Sequence, residues 1–336
     1  MDVPRIKAAP AGHIPALDGV RGIAILAVLI FHFSGPLARN FDGFPQKLVG
    51  AGFRAGWVGV DLFFVLSGFL ITRNLLSLSG STSDRITLFW RNRALRIFPI
   101  YFVFLFIYAL AVYVPPLPYW LYYCNWTQPY QPGEIRSPLS HFWSLAVEEQ
   151  FYVVWPVVAL LLPRTQLLAC SWAVVIIVPA LRTTAVAFEI SPHLIYRATI
   201  FRVDALVLGA LIAQGVGWRA PLFIGAALTI PVILICKGFA WPHPLMQTLG
   251  YTGIAACFAG FVGWAATTSA PIISNPSTNG GLDARKQPWQ GVRARRVHGG
   301  HWARTAWKTG SGLLPAWRRT APAATVLRRR SPIAVS

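Results

Sequence analysis

The sequence predicts an all-α protein that crosses a membrane about eight times and ends in a disordered basic tail. Three observations predict it: the composition, a series of apolar runs of span length, and a bias of charge towards the loops and the last stretch of chain. Of 336 residues, 55% are hydrophobic and only 12% charged, and the mean hydropathy is positive at +0.51. That is the composition of an integral membrane protein rather than of a soluble domain. Fourteen Trp and ten Tyr suit aromatic belts at the two membrane surfaces. Cys124, Cys170, Cys236 and Cys257 are scattered singly, so neither a disulfide framework nor a zinc site is expected.

The net charge of +19 suggests a nucleic-acid binder until it is located. Twelve of the 30 Lys and Arg, but only one of the 11 acidic residues, fall after residue 280. What remains is the ordinary excess of basic loops on the cytoplasmic side. The chain is therefore divided into a transmembrane domain, 1–270, and a basic tail of low structure, 271–336.

The elements follow in order. Residues 1–13 are a short polar lead with Arg5 and Lys7. Asp18 and Arg21 interrupt the run that follows, and no small-residue cleavage site ends it, so a retained first span over 14–33 is expected rather than a signal peptide. A loop over 35–56 leads to a second span over 57–76, which carries Asp61. Residues 77–97 read as a polar, basic loop, and a third span follows over 98–114. The Pro- and aromatic-rich stretch 115–140 is expected outside the bilayer. Five further spans are expected over about 142–162, 166–181, 201–215, 220–236 and 246–268. Five Arg and one Asp in 73–97 make the strongest basic cluster between spans, which puts that segment and the N-terminus in the cytoplasm. After Pro271 no apolar period survives. The tail reads either as a disordered basic segment for anionic lipid or nucleic acid, or as the product of a shifted reading frame.

Three constellations carry chemistry. In the first span Arg21 and His32 are eleven residues apart, about 20° from whole turns and about 16 Å along the axis, with Asp18 within about 60° of their stripe. Ionisable side chains aligned on an apolar helix are functional by default, although Arg21 snorkelling to a headgroup and His32 capping the far end would also account for them. His is the usual base for a hydroxyl proton, and Arg the usual fork for phosphate or a polarised carbonyl. Arg93 and Arg96 in RNRALRIFP stand one turn apart beside the third span, as positive-inside anchors or as a clamp for an anionic nucleotide. Glu148 and Glu149 in HFWSLAVEEQFYVVWP point about 100° apart, so one can meet a cation while the other faces a cavity. Arg202 and Asp204 suit an ion pair between helices as well as catalysis, and Ser67 and Gly68 suit close helix packing.

Taken together and in order, LDGVRGIAILAVLIFHF, GVDLFFVLSGFLIT, RNRALRIFPIYF, HFWSLAVEEQFYVVWP and FRVDALVLGALIA resemble the membrane-bound acyltransferase 3 family, which includes O-antigen, exopolysaccharide and nodulation-factor acetylases and some macrolide acyltransferases. The resemblance covers about residues 14–268. It implies an acyltransferase that moves an acyl group, most often acetyl, from acyl-CoA (acetyl-CoA) to a hydroxyl of a cell-surface glycan or lipid-linked saccharide. No metal and no specific nucleic acid are implied, and the location is the inner membrane with a cytoplasmic N-terminus.

By the same resemblance His32 and Arg21 are catalytic, Glu148 and Glu149 assist them, and Arg93 and Arg96 bind the coenzyme. Members typically have ten spans against eight counted here. The basic tail stands where the last two belong, which favours the shifted frame or a C-terminal truncation. An inactive relative and a non-enzymatic membrane transporter or binding protein are the alternatives. The second should show pseudo-repeated halves, and no such symmetry is seen.

Overall fold

The computed structural model describes residues 12–33, 50, 52, 55–127 and 139–268. The expected loop 35–56 falls largely outside these residues, and the tail 271–336 falls wholly outside them. Among the described residues there is no strand.

The helices run in chain order: α1 Pro15–Phe33, α2 Gly59–Ser77 entered through a 3-10 turn Gly56–Val58, α3 Thr82–Ala111, α4 Leu117–Trp120, α5 Phe142–Leu161, α6 Arg164–Ala187, α7 Pro192–Arg197, α8 Val203–Ala213, α9 Arg219–Ile235 and α10 Tyr251–Thr268, the last preceded by a π turn Met246–Gly250. Six of these segments are long and apolar enough to cross a membrane. All eight expected spans appear as helices, but α8, with 11 residues, and α9, with 17, are the shorter two. Helix α8 needs no contact with lipid, because every residue from Asp204 to Ile212 is buried.

At the centre, α2 buries Leu62, Phe64, Val65, Leu66, Ile71 and Leu75 among α1, α5, α8 and α10. The α2–α8 crossing is close because two glycines face each other's backbone. A Cβ on Gly68 would stand 1.8 Å from the Leu206 carbonyl oxygen, and one on Gly209 would stand 1.9 Å from that of Val65. Small residues at helix contacts are how membrane helices gain packing where lipid offers no hydrophobic drive. On the periphery α1 buries only Leu17, Val20 and Ala24, and α3 only Phe89, Tyr101, Leu105 and Tyr108. Ile23, Leu26, Ile100, Phe106 and Leu110 point outward, as a lipid-facing surface requires.

One boundary expected from sequence is corrected. The stretch 77–97 is not a loop: α3 begins at Thr82 and carries Arg85, Arg91, Arg93 and Arg96 on one continuous helix with the apolar run. The Ser81 hydroxyl caps its start, accepting from the Asp84 amide at 3.2 Å. Polar residues mask the helical period without breaking it. In the 115–140 stretch the described part contains the single turn α4, tied to α5 where Gln150 Nε2 donates to the Tyr122 carbonyl at 2.7 Å and to Asn125 Oδ1 at 2.9 Å.

Direction within the bundle follows from the contacts. Arg73, near the end of α2, donates to the Gly12 carbonyl at 2.8 Å, so α1 begins where α2 ends. Phe31 and Ala27 of α1 lie against Gly56, where α2 is entered. We call the Gly12 side the near end and the His32 side the far end. Helix rise puts about 27 Å between the levels of Gly56 and Asn74.

Candidate active site

At the near end, an open cleft of about 230 Å3 lies between α2 and α3, lined by Asn74, Leu78, Leu88, Phe89, Asn92, Arg93 and Arg96. Arg93 and Arg96 thus reach one space, as their spacing on a helix allows. The Arg93 guanidinium lies over the rings of Phe89 (5.6 Å) and Tyr152 (5.0 Å), which draws it against α5. Sequence reasoning missed Asn74 and Asn92. The signal for Asn92 was present, since it precedes Arg96 by one helical turn.

Deeper in, the Ser67 hydroxyl of α2 and the Tyr152 hydroxyl of α5 are 2.6 Å apart. Glu148, one turn from Tyr152 on the same face, lies against this pair, and Arg93 is the cation facing both Glu148 and Glu149. Both carboxylates are buried, and one oxygen of each, Oε1, has no hydrogen-bond partner within the described protein. Such an arrangement leaves acceptor capacity open in an apolar interior, which is where an incoming hydroxyl or amide is bound most strongly. Ser67, read from sequence as a packing residue, has a polar role beside its neighbour Gly68.

His32 lies at the far end, its ring meeting that of Phe31 edge-on. His141, the residue before α5, shares this end and faces His32. His141 keeps an exposed edge, yet desolvation by the protein around it, followed by the His32 imidazole, holds it below the usual imidazole range. Arg21 is half-buried about 16 Å back along α1 towards the near end. On the same helix the Asp18 carboxylate meets His13 at 2.6 Å on an exposed edge.

The candidate residues therefore occupy a series of levels along α5. Arg93 and Arg96 are at the near-end cavity, Glu148 and Glu149 lie one turn beyond Tyr152, and His32 is at the far end. Seven to eight residues of helix, about 10–12 Å of rise, separate Glu148 and Glu149 from His141 along α5.

Two further sets of buried charges pair between helices. Asp61 of α2 accepts from Arg202 Nη2 at 2.6 Å. Arg182 of α6 holds both oxygens of Asp204 at 3.1 and 2.9 Å and donates to the Phe201 carbonyl at 2.6 Å. Thr252 of α10 completes the group, donating to Asp204 at 2.7 Å and meeting Arg182. Arg202 also lies over the rings of Tyr251 (4.5 Å) and Tyr196 (5.1 Å). Of the two open readings of Arg202 and Asp204, the geometry is that of the inter-helix ion pair. Among the described residues no three His, Cys, Asp or Glu side chains gather as metal ligands.

A family profile described as an acyltransferase domain matches residues 14–278, which is more than three quarters of the chain. The chain belongs to the acyltransferase 3 family. Among the chain's relatives, peptidoglycan O-acetyltransferase OatA of Listeria monocytogenes is 31% identical over 162 residues, covering 43% of this chain and 24% of its own length. A Staphylococcus aureus protein named for O-acetyltransferase activity is 31% identical over 225 residues, covering 60% of this chain and 34% of its own length. A Bacillus subtilis protein named for peptidoglycan O-acetyltransferase activity is 28% identical over 226 residues, covering 60% and 33%. The chain thus spans about a third or less of the length of these relatives. No solved structure matches it.

Proposed function

We propose that this chain is a membrane O-acetyltransferase that takes its acyl group from acyl-CoA at the near end and delivers it to a glycan hydroxyl at the far end. The observation that carries this reading is the order of groups along α5: a cationic cavity, a buried carboxylate pair, and a histidine pair at the opposite surface. Arg93 and Arg96 would hold the coenzyme phosphates, and Arg21, between the near-end cavity and His32 along α1, would orient the donor. His32 would remove the acceptor's hydroxyl proton. The thioester C–S bond then breaks as the ester C–O bond forms, and the coenzyme leaves as a thiolate that takes up a proton. Glu148 or Glu149, with Tyr152 and Ser67, would guide the donor arm past Arg93.

Acceptors in the relatives' names are peptidoglycan, so a cell-wall saccharide is the acceptor to try first. Orientation follows from charge. Arg73, Arg85, Arg91, Arg96, Arg164 and Arg219 cluster at the near end, which favours a cytoplasmic near end and N-terminus in the inner membrane. We read 271–336 as lying outside the transmembrane domain.

The test is His32→Ala in the full chain, purified in detergent and assayed with acetyl-CoA and peptidoglycan fragments. Loss of a positioned base costs about 10²–10⁴ in rate, so transfer should fall by at least that much while insertion and coenzyme binding persist. Full activity in a well-expressed variant overturns the assignment.

A further inference from the structure

We propose that Asn74 and Asn92 read the adenine ring of the donor, making the mouth of the near-end cavity a nucleobase site and the selector for an adenosine-bearing coenzyme. The inference rests on the coenzyme reading above and extends it from the phosphates to the base.

The argument starts from size. A cavity of about 230 Å3 is smaller than the roughly 300–1,000 Å3 that encloses a drug-sized ligand, so it takes one segment of a long coenzyme and leaves the rest outside it. Level decides which segment. Helix α3 runs inward from the near end, so Leu88 comes first, Asn92 about 6 Å further in, and Arg96 about 12 Å further in. On α2, Leu78 stands at the near end and Asn74 one turn deeper. Phosphates held at Arg93 and Arg96 put the thioester arm beyond them, towards Glu148, and leave the nucleoside at the mouth.

The chemistry of the mouth fits a base. Leu78 and Leu88 come from opposite walls and can cover the two faces of a flat ring. Asn74 and Asn92 are exposed at the mouth, and no side-chain hydrogen bond to another protein group engages their amides among the described residues, so both can meet a ligand. Each offers a donor and an acceptor on one planar group, which complements the adjacent N6 donor and N7 acceptor of adenine. Guanine presents two acceptors on that edge and satisfies only the donor half. Phe89, the aromatic ring lining the cavity, is 4% exposed and engaged by Tyr152 and Arg93, so selectivity falls to the amides rather than to stacking.

The experiment measures displacement of labelled coenzyme A from the full chain in detergent by adenosine 3′,5′-bisphosphate, guanosine 3′,5′-bisphosphate and phosphopantetheine. The adenosine compound should compete about tenfold or more better than the guanosine one, the discrimination expected of one good amide–base pair. In Asn92→Leu and Asn74→Leu that preference should collapse while phosphopantetheine competes as before, which also shows that the variants are folded. Equal competition by the two nucleotides, or parallel weakening of all three competitors, overturns the inference and leaves the coenzyme reading intact. Failure of the wild-type chain to bind coenzyme A overturns both.

Discussion

At the scale of single residues, the protonation of histidine is the most accessible variable. Desolvation by the surrounding protein and the facing His32 hold His141 below the ordinary imidazole value, and desolvation also lowers His193 on α7. The sign follows from proton linkage. Near and below about pH 6.5 the unfolded chain takes up protons that the folded protein resists, so stability is full above that pH and falls as the pH drops. The thermal midpoint in detergent should therefore decline from pH 8 to pH 5, and His141→Gln with His193→Gln should flatten the decline. An unchanged slope in that double variant contradicts the assignment. Neutral His141 also suits the far end to base chemistry, because a second cation beside His32 would oppose proton uptake there.

At the scale of elements, the α2–α8 crossing is set by two glycines rather than by side-chain complementarity. Gly68→Ala or Gly209→Ala drives a methyl into a carbonyl oxygen, and the helices must separate. Overpacking of this kind costs about 1–3 kcal/mol or more. Either variant should lower the thermal midpoint clearly, whereas Gly19→Ala, whose added methyl meets nothing within 4 Å, should not. The separation would also move Asp61, Ser67 and Thr72, which hang from α2 and meet Arg202, Tyr152 and Trp155. Activity loss in Gly68→Ala is accordingly expected to exceed what its stability alone accounts for. Helix α3 illustrates the converse. Its basic first half looks like a loop when read for hydropathy, yet its continuity with the apolar half fixes Asn92, Arg93 and Arg96 on one side of a cavity.

At the scale of the whole molecule, Asp61–Arg202 and Arg182–Asp204–Thr252 join α2, α6, α8 and α10 through buried charge. Removing one partner strands the other, at a cost of about 3–5 kcal/mol, whereas replacing both with apolar residues of similar volume is often neutral. Asp61→Leu or Arg202→Met alone should therefore reduce the folded yield severely, and the double variant should recover most of it. Failure of the double variant to recover would mean that the aromatic rings around Arg202 depend on its charge. Neither pair touches the near-end cavity, so coenzyme affinity in the recovered protein should match the parent.

The sequence by itself determined the eight apolar helices, the membrane class, the Arg21–His32 stripe and the Arg93–Arg96 pair, because each is a matter of periodicity within one segment. Family membership was legible for the same reason: its motifs are short and local. Only the tertiary structure decided that Asp61 and Asp204 take Arg202 and Arg182. It alone also set Glu148 and Glu149 beside Arg93, with Glu148 against Ser67 and Tyr152. These pairings join residues up to 141 positions apart. Which helix lies against which, and at what depth, depends on packing between distant segments, and a local pattern carries no record of it.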